Sequence, residues 1–151
     1  MKKLLWLHLA LVSLGKRLGS LERADRKRVI DGATIFRSLC ASCHGTDAKG
    51  LPTNVSPSIT SIVLHGSTGT INGKKYPTDM PAMGSNNDEW VASVLSYLRY
   101  NLGVPEQYAG MIPPQYFPQI LVRPEEVQKV RTATAGRDKP WTMEELQKGG
   151  K

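Results

Sequence analysis

Two cysteines and the histidine after them, Cys40-Ala41-Ser42-Cys43-His44, are the residues of this chain best placed to do chemistry. On a helix, thiols spaced this way lie about one turn apart. Each can form a thioether to one of the two vinyl groups on one edge of a porphyrin, and the next imidazole then reaches the iron. Cys-x-x-Cys-His is for this reason a mark of covalent haem attachment. Two other chemistries use such a pair. A redox dithiol wants a βαβ setting, and no long stretch of alternating strand formers supplies one. Zinc wants further Cys or His at fixed spacing, and with 2 Cys and 3 His the chain has no second pair. The two thiols are also too close in sequence to form the disulfide framework of a secreted fold. One covalently attached haem c is therefore the expected cofactor, bound by Cys40 and Cys43 with His44 on the iron.

The elements that must hold this motif are read from caps and periodicity. Asp31 suits a helix N-cap, and Ala33, Phe36 and Leu39–Cys40 recur behind it at helical spacing. Gly45 to Ser58 is turn-rich, with Pro52 and Pro57. Ile59–His65 reads as a short helix stopped by Gly66 in a left-handed C-cap position. Asn72-Gly73 favours a tight hairpin, and Pro77–Ser85 is a second loop. The clearest helix opens at Asn87, with Asp88 and Glu89 suiting its positive start. Val91, Val94, Leu95 and Leu98 share one face, Trp90 and Tyr97 widen it, and Gly103 ends it. Residues 103–124 carry five of the ten prolines and cannot form a regular helix. They read either as a strap packed on the domain or as a docking surface. A helix over Glu125–Ala135 ends at Gly136, and Thr142 and Glu145 are spaced as the capping box of a last short helix.

The chain's 151 residues suit one domain with appendages. Lys2 and Lys3 followed by the apolar run Leu4–Leu14 read as an export signal over residues 1–15, too short to span a bilayer by the usual rule of about 20 apolar residues. The alternative is an uncleaved membrane anchor. Residues 16–28 read as a charged linker. The net charge is +7, and without residues 1–15 the balance is 18 basic against 13 acidic residues. That excess suits an acidic partner or an anionic membrane surface. No nucleic-acid module pattern is present, and no Ser-His-Asp set, phosphate loop or paired carboxylate stands out.

Around the motif, Val29 to Gly103 resembles the class I cytochrome c family. Gly32 and Phe36 precede Cys40 at the spacing of that family's first helix, where the glycine lets the first and last helices cross beside an aromatic such as Tyr97. Met80-Pro81-Ala82-Met83-Gly84, with Asn87-Asp88-Glu89 and Val94–Arg99 after it, looks like the family's ligand loop and closing helix. The resemblance implies Met80 as sixth iron ligand. It also implies Pro57 as the residue whose carbonyl accepts a hydrogen bond from the proximal His44, fixing the ring. His65–Tyr76 resembles the hairpin of cytochrome domains that accompany bacterial quinoprotein and sugar dehydrogenases, and Pro124–Trp141 resembles the extension those domains often carry. The sequence departs from the family in one place: the stretch between Pro57 and His65 is short, which leaves one haem flank thinly covered. Residues 103–121 read as an insertion over that gap.

The resemblance implies an all-α, small cytochrome c fold around one haem, with a short β-hairpin and a Pro-rich plus helical C-terminal extension. Its parts are the signal at 1–15, the linker at 16–28, the cytochrome domain at 29–103, the strap at 104–124 and the extension at 125–151. About 75 residues make a poor core alone, so porphyrin must supply apolar mass. The expected function is single-electron transfer in the periplasm or an equivalent exported compartment, from a dehydrogenase donor to a cytochrome or oxidase acceptor, rather than enzymatic catalysis. The other reading is an open-site haem protein, a small-ligand sensor or peroxidase-like enzyme. Among rival ligands, His65 reads as a surface or supporting residue, Met83 as core and Met111 as part of the strap. Lys74, Lys75 and Tyr76 either contact haem propionates or form a solvated hairpin, and Trp141 reads as a packing anchor.

Overall fold

The computed structural model describes residues 21–46, 48, 58–71, 73–101 and 120–149. The expectations for residues 1–15, Pro57, Gly103, Met111 and most of the Pro-rich segment lie outside the described residues.

Helix α1 (Arg23–Ile35) runs without a break through a π-helical turn, Phe36–Cys40, into the short helix α2 (Ala41–His44). It begins at Arg23, inside the segment expected to be a charged linker, and not after Asp31. The reason is tertiary. Asp25 is buried and ion-pairs with Arg28 at 3.0 Å and with Arg123 from the far end of the chain. Leu21 and Val29 are buried beside it. A helix whose inner face holds a paired aspartate shows no apolar stripe. Asp31 lies within the helix and pairs with Lys27 at 2.5 Å on the surface.

Beyond Asp25 the buried face is Val29 and Gly32 in α1 and Phe36 at the start of the π-turn, the i, i+3, i+7 pattern of a core-facing helix. The expected continuation through Leu39 fails, for Leu39 is 54% exposed. At the π-turn the Ala41 N–H donates to the Phe36 carbonyl, five residues back. The extra residue in that turn shifts the phase, so Leu39 swings outward and Cys40 becomes half-buried.

Helix α3 (Ser58–His65) ends where Gly66, at φ +79°, donates its N–H to Ile62 O at 2.7 Å. Strands β1 (Thr70–Ile71) and β2 (Lys74–Lys75) pair antiparallel, Thr70 opposite Lys75, with Gly73 at φ +77° in the turn. Helix α4 (Asp88–Asn101) is capped by Asn87, whose Oδ1 accepts from the Trp90 N–H at 2.9 Å. Every residue from Val91 to Leu98 is buried, and so is Tyr100. The helix is apolar on one face with small polar residues elsewhere, because it is covered from two sides. Helix α1 forms its most extensive interface, and Leu121 and Val122 cover it from elsewhere. Buried Ser96 both donates to Val122 O at 3.1 Å and accepts from Val122 N at 3.0 Å.

Helices α5 (Pro124–Ala133) and α6 (Met143–Gln147) follow. Pro124 opens α5, where Glu126 accepts from the Arg123 N–H at 2.9 Å, and Val127 is buried in the core. The Thr142–Glu145 capping box of α6 forms as expected. The architecture is all-α, with the two-residue strands as its short hairpin.

Candidate haem site

The attachment motif is carried by the end of the helical rod that starts at Arg23. Both thiols are free, Cys40 half-buried and Cys43 exposed. Burial pushes the Cys40 thiol above its ordinary pKa, and the neighbouring Cys43 raises it further. A reactive dithiol centre needs the opposite, a lowered pKa and a ready thiolate. His44 closes α2 and is half-buried, and burial holds its pKa below the ordinary histidine value. The neutral imidazole so favoured is the form that ligates metal. Gly45, at φ +74°, donates to Ala41 O at 2.9 Å and ends the helix just past the ligand position.

The position of the rod is set by its crossing with α4. A Cβ on Gly32 would stand 1.9 Å from Ser93 O and 2.9 Å from Tyr97 Cβ, so only glycine lets the two backbones approach this closely. One turn further on, the Phe36 and Tyr97 rings lie 5.5 Å apart and tilted by 45°. The expected contact between Gly32 and the region of Tyr97 is present.

The Met80 loop is held by backbone rather than by a helix. Met80 donates to Ser67 O at 2.9 Å and accepts from Ser67 N at 3.1 Å. Met83 donates to Val63 O at 2.8 Å. Two glycines permit this approach. A Cβ on Gly66 would meet Met80 O at 2.5 Å, and one on Gly84 would meet Leu64 O at 2.5 Å. Met80 and Met83 are both half-buried against the core cluster.

His65 is turned to the C-terminal segment. Its Nε2 lies 2.7 Å from Thr134 Oγ1, and its ring stands edge-on to Trp141 at 6.5 Å. Burial first, and then the Arg137 charge, hold its pKa down. Trp141 is buried, as a packing anchor should be, with the Arg137 guanidinium 3.5 Å from the centre of its ring. Lys74, Lys75 and Tyr76 are exposed, and the Lys74 ammonium sits 5.0 Å from the Tyr76 ring centre. Two residues that sequence reasoning missed matter here. Asp25 ties α1 to Arg123, and Arg131 reaches the loop from α5. Neither has a local signal, since both look like ordinary surface charges.

Two free thiols one helical turn apart, with an imidazole beside the second, are groups whose chemistry fits a covalently attached haem, and the Met80 thioether lies in a separate loop paired to Ser67. Among the described residues, no three His, Cys, Asp or Glu side chains cluster as a metal site.

Comparison with known proteins adds two findings. Residues 29–131 match the family described as Cytochrome c. The chain is also 30% identical over 97 residues to the fructose dehydrogenase cytochrome subunit of Gluconobacter japonicus, a match covering 50% of this chain. It spans 19% of that protein's length.

Proposed function

The chain belongs to the cytochrome c family, with the covalent haem and the electron-transfer role which that implies, and from this premise we propose that it passes single electrons between an exported dehydrogenase and a downstream cytochrome or oxidase. The observation that carries the reading is the Cys40–His44 motif, with two free thiols and a half-buried imidazole, inside the matched span. The bound haem supplies a one-electron iron couple. Cys40 and Cys43 anchor it through thioethers, and with only two cysteines the chain takes one haem. His44 would hold the iron through its imidazole nitrogen and Met80 through its thioether sulfur. A thioether raises the reduction potential relative to a second histidine. Iron held from both His44 and Met80 would leave no place for oxygen or peroxide to bind, which favours transfer over catalysis.

The dehydrogenase donor is supported by the name of the Gluconobacter japonicus relative. Export is supported by Lys2, Lys3 and the apolar run to Leu14. The net charge of +7 favours an acidic partner or an anionic membrane surface.

The experiment is Met80→Ala in the haem-loaded protein. The oxidised parent should show the weak long-wavelength absorption of sulfur-to-iron charge transfer. The variant should lose it, bind carbon monoxide rapidly when reduced, and have a lower potential. A band that survives Met80→Ala and disappears in Met83→Ala moves the ligand within the loop. Rapid carbon monoxide binding by the parent would support an open site instead.

A further inference from the structure

The C-terminal segment grips the Met80 loop near both of its ends. At the first end the contact passes through one intervening strand of backbone. Trp141 donates its N–H to Gly66 O at 3.0 Å and accepts from Thr68 N at 2.9 Å. Ser67, between those two residues, turns its own N–H and carbonyl the other way, to Met80. Residues 66–68 thus form the middle of a three-layer ladder, antiparallel to Met80 on one edge and parallel to Trp141 on the other.

At the second end a single side chain does the holding. Arg131 donates from Nη1 to Gly84 O at 2.5 Å, from Nη2 to Asn86 O at 2.8 Å and from Nε to the Asp88 carboxylate at 2.8 Å. All three guanidinium nitrogens are used, on two loop carbonyls and the first residue of α4. A planar fork can reach three such acceptors together, and an ammonium cannot.

We propose that the C-terminal segment is a brace for the sixth iron ligand, with Arg131 and Trp141 as positioning residues that confine Met80 to one approach. The proposal rests on the reading of Met80 as that ligand. A thioether has no charge to draw it to the iron, so the bond survives only as far as the loop is already ordered. Ordering the loop costs conformational entropy, and the brace meets that cost from outside the loop. Releasing it should loosen the iron–sulfur bond while the haem stays attached through Cys40 and Cys43.

The test uses the full haem-loaded chain and compares Arg131→Ala, Arg131→Lys, Met80→Ala and Val29→Ala, the last a core truncation in α1, which carries none of the hydrogen-bond partners of Arg131. Arg131→Ala should speed amide hydrogen exchange at Met83 and Asn86 by about tenfold, the scale of a lost charge-assisted hydrogen bond. It should also lower the potential and make the charge-transfer band fade on warming before the protein unfolds. Arg131→Lys should restore part of each effect. Val29→Ala should lower the melting temperature with band loss and unfolding still coincident. Unchanged loop exchange and an unchanged band in Arg131→Ala would overturn the proposal, as would the same separation of band loss from unfolding in Val29→Ala. If the band is absent from the parent or insensitive to Met80→Ala, the ligand reading falls, and the exchange rates alone decide whether the brace holds the loop.

Discussion

Phe36–His44 and Met80–Asn87 serve the same proposed haem by opposite means. The first is the end of a continuous helical rod, so its residues are spaced by their own neighbours in sequence, and the crossing with α4 aims the rod as a whole. The second has no regular structure before α4. It is placed by Ser67, Val63 and Arg131, the last 44 residues beyond Asn87 in the chain. One half of the site is local and covalently stapled. The other is held by hydrogen bonds from distant parts of the chain. The contrast suits a carrier whose cofactor stays attached while the placing of the Met80 loop is left to the fold.

The largest expected effect strikes the local half. Replacing Cys40 and Cys43 together with alanine should abolish covalent haem, read by mass spectrometry. It should also leave the chain largely unfolded by circular dichroism, because the porphyrin supplies core that so small a domain lacks. Full retention of covalent haem in the double variant would end the account of the motif.

A smaller effect is expected at the crossing that aims the rod. In Gly32→Val the new Cβ meets the Ser93 carbonyl, so α1 and α4 must separate. The loss should be about 3 kcal/mol in the haem-loaded protein, measured by denaturant unfolding. An unchanged midpoint would mean that the crossing tolerates what its geometry forbids.

The smallest effect belongs to the far end of the brace. Thr142 Oγ1 accepts from the Glu145 N–H at 3.3 Å, and Glu145 accepts from the Thr142 N–H at 2.9 Å. Thr142→Ala should cost α6 about 1 kcal/mol. It should speed exchange around Trp141 and in the Met80 loop while leaving that around Cys40 unchanged. Acid should mimic it. The Thr142 backbone N–H, and then Arg137, hold the Glu145 carboxyl below its ordinary pKa. The contribution of this carboxylate is therefore complete above the ordinary glutamate range and is lost as pH falls through the lowered value. Loosening that reaches Cys40 and the Met80 loop equally would erase the distinction between the two halves.

The haem motif, the Asn87 and Thr142 caps, the left-handed Gly66 and the tight packing demanded of Gly32 were all legible in the sequence. The motif, the caps and Gly66 depend on residues within one or two turns of chain, and the packing at Gly32 was implied by the family resemblance. The start of α1 was not legible. Asp25 and the arginines around it read as solvated charge, because the partner that buries Asp25 is Arg123, 98 residues away. The outward turn of Leu39 was not legible either, since a π-turn changes the phase of a helix without changing its composition. The grip of Arg131 on Gly84 and Asn86 lay furthest out of reach. Backbone carbonyls carry no side-chain identity, so no residue type in the loop announces which cation will hold it. The amino-acid sequence by itself determined the Cys40–His44 motif and the closing helix α4 with its Asn87 cap. Only the tertiary structure decided what restrains the Met80 loop, because that restraint is made of backbone acceptors and a distant guanidinium that meet only after the chain has folded.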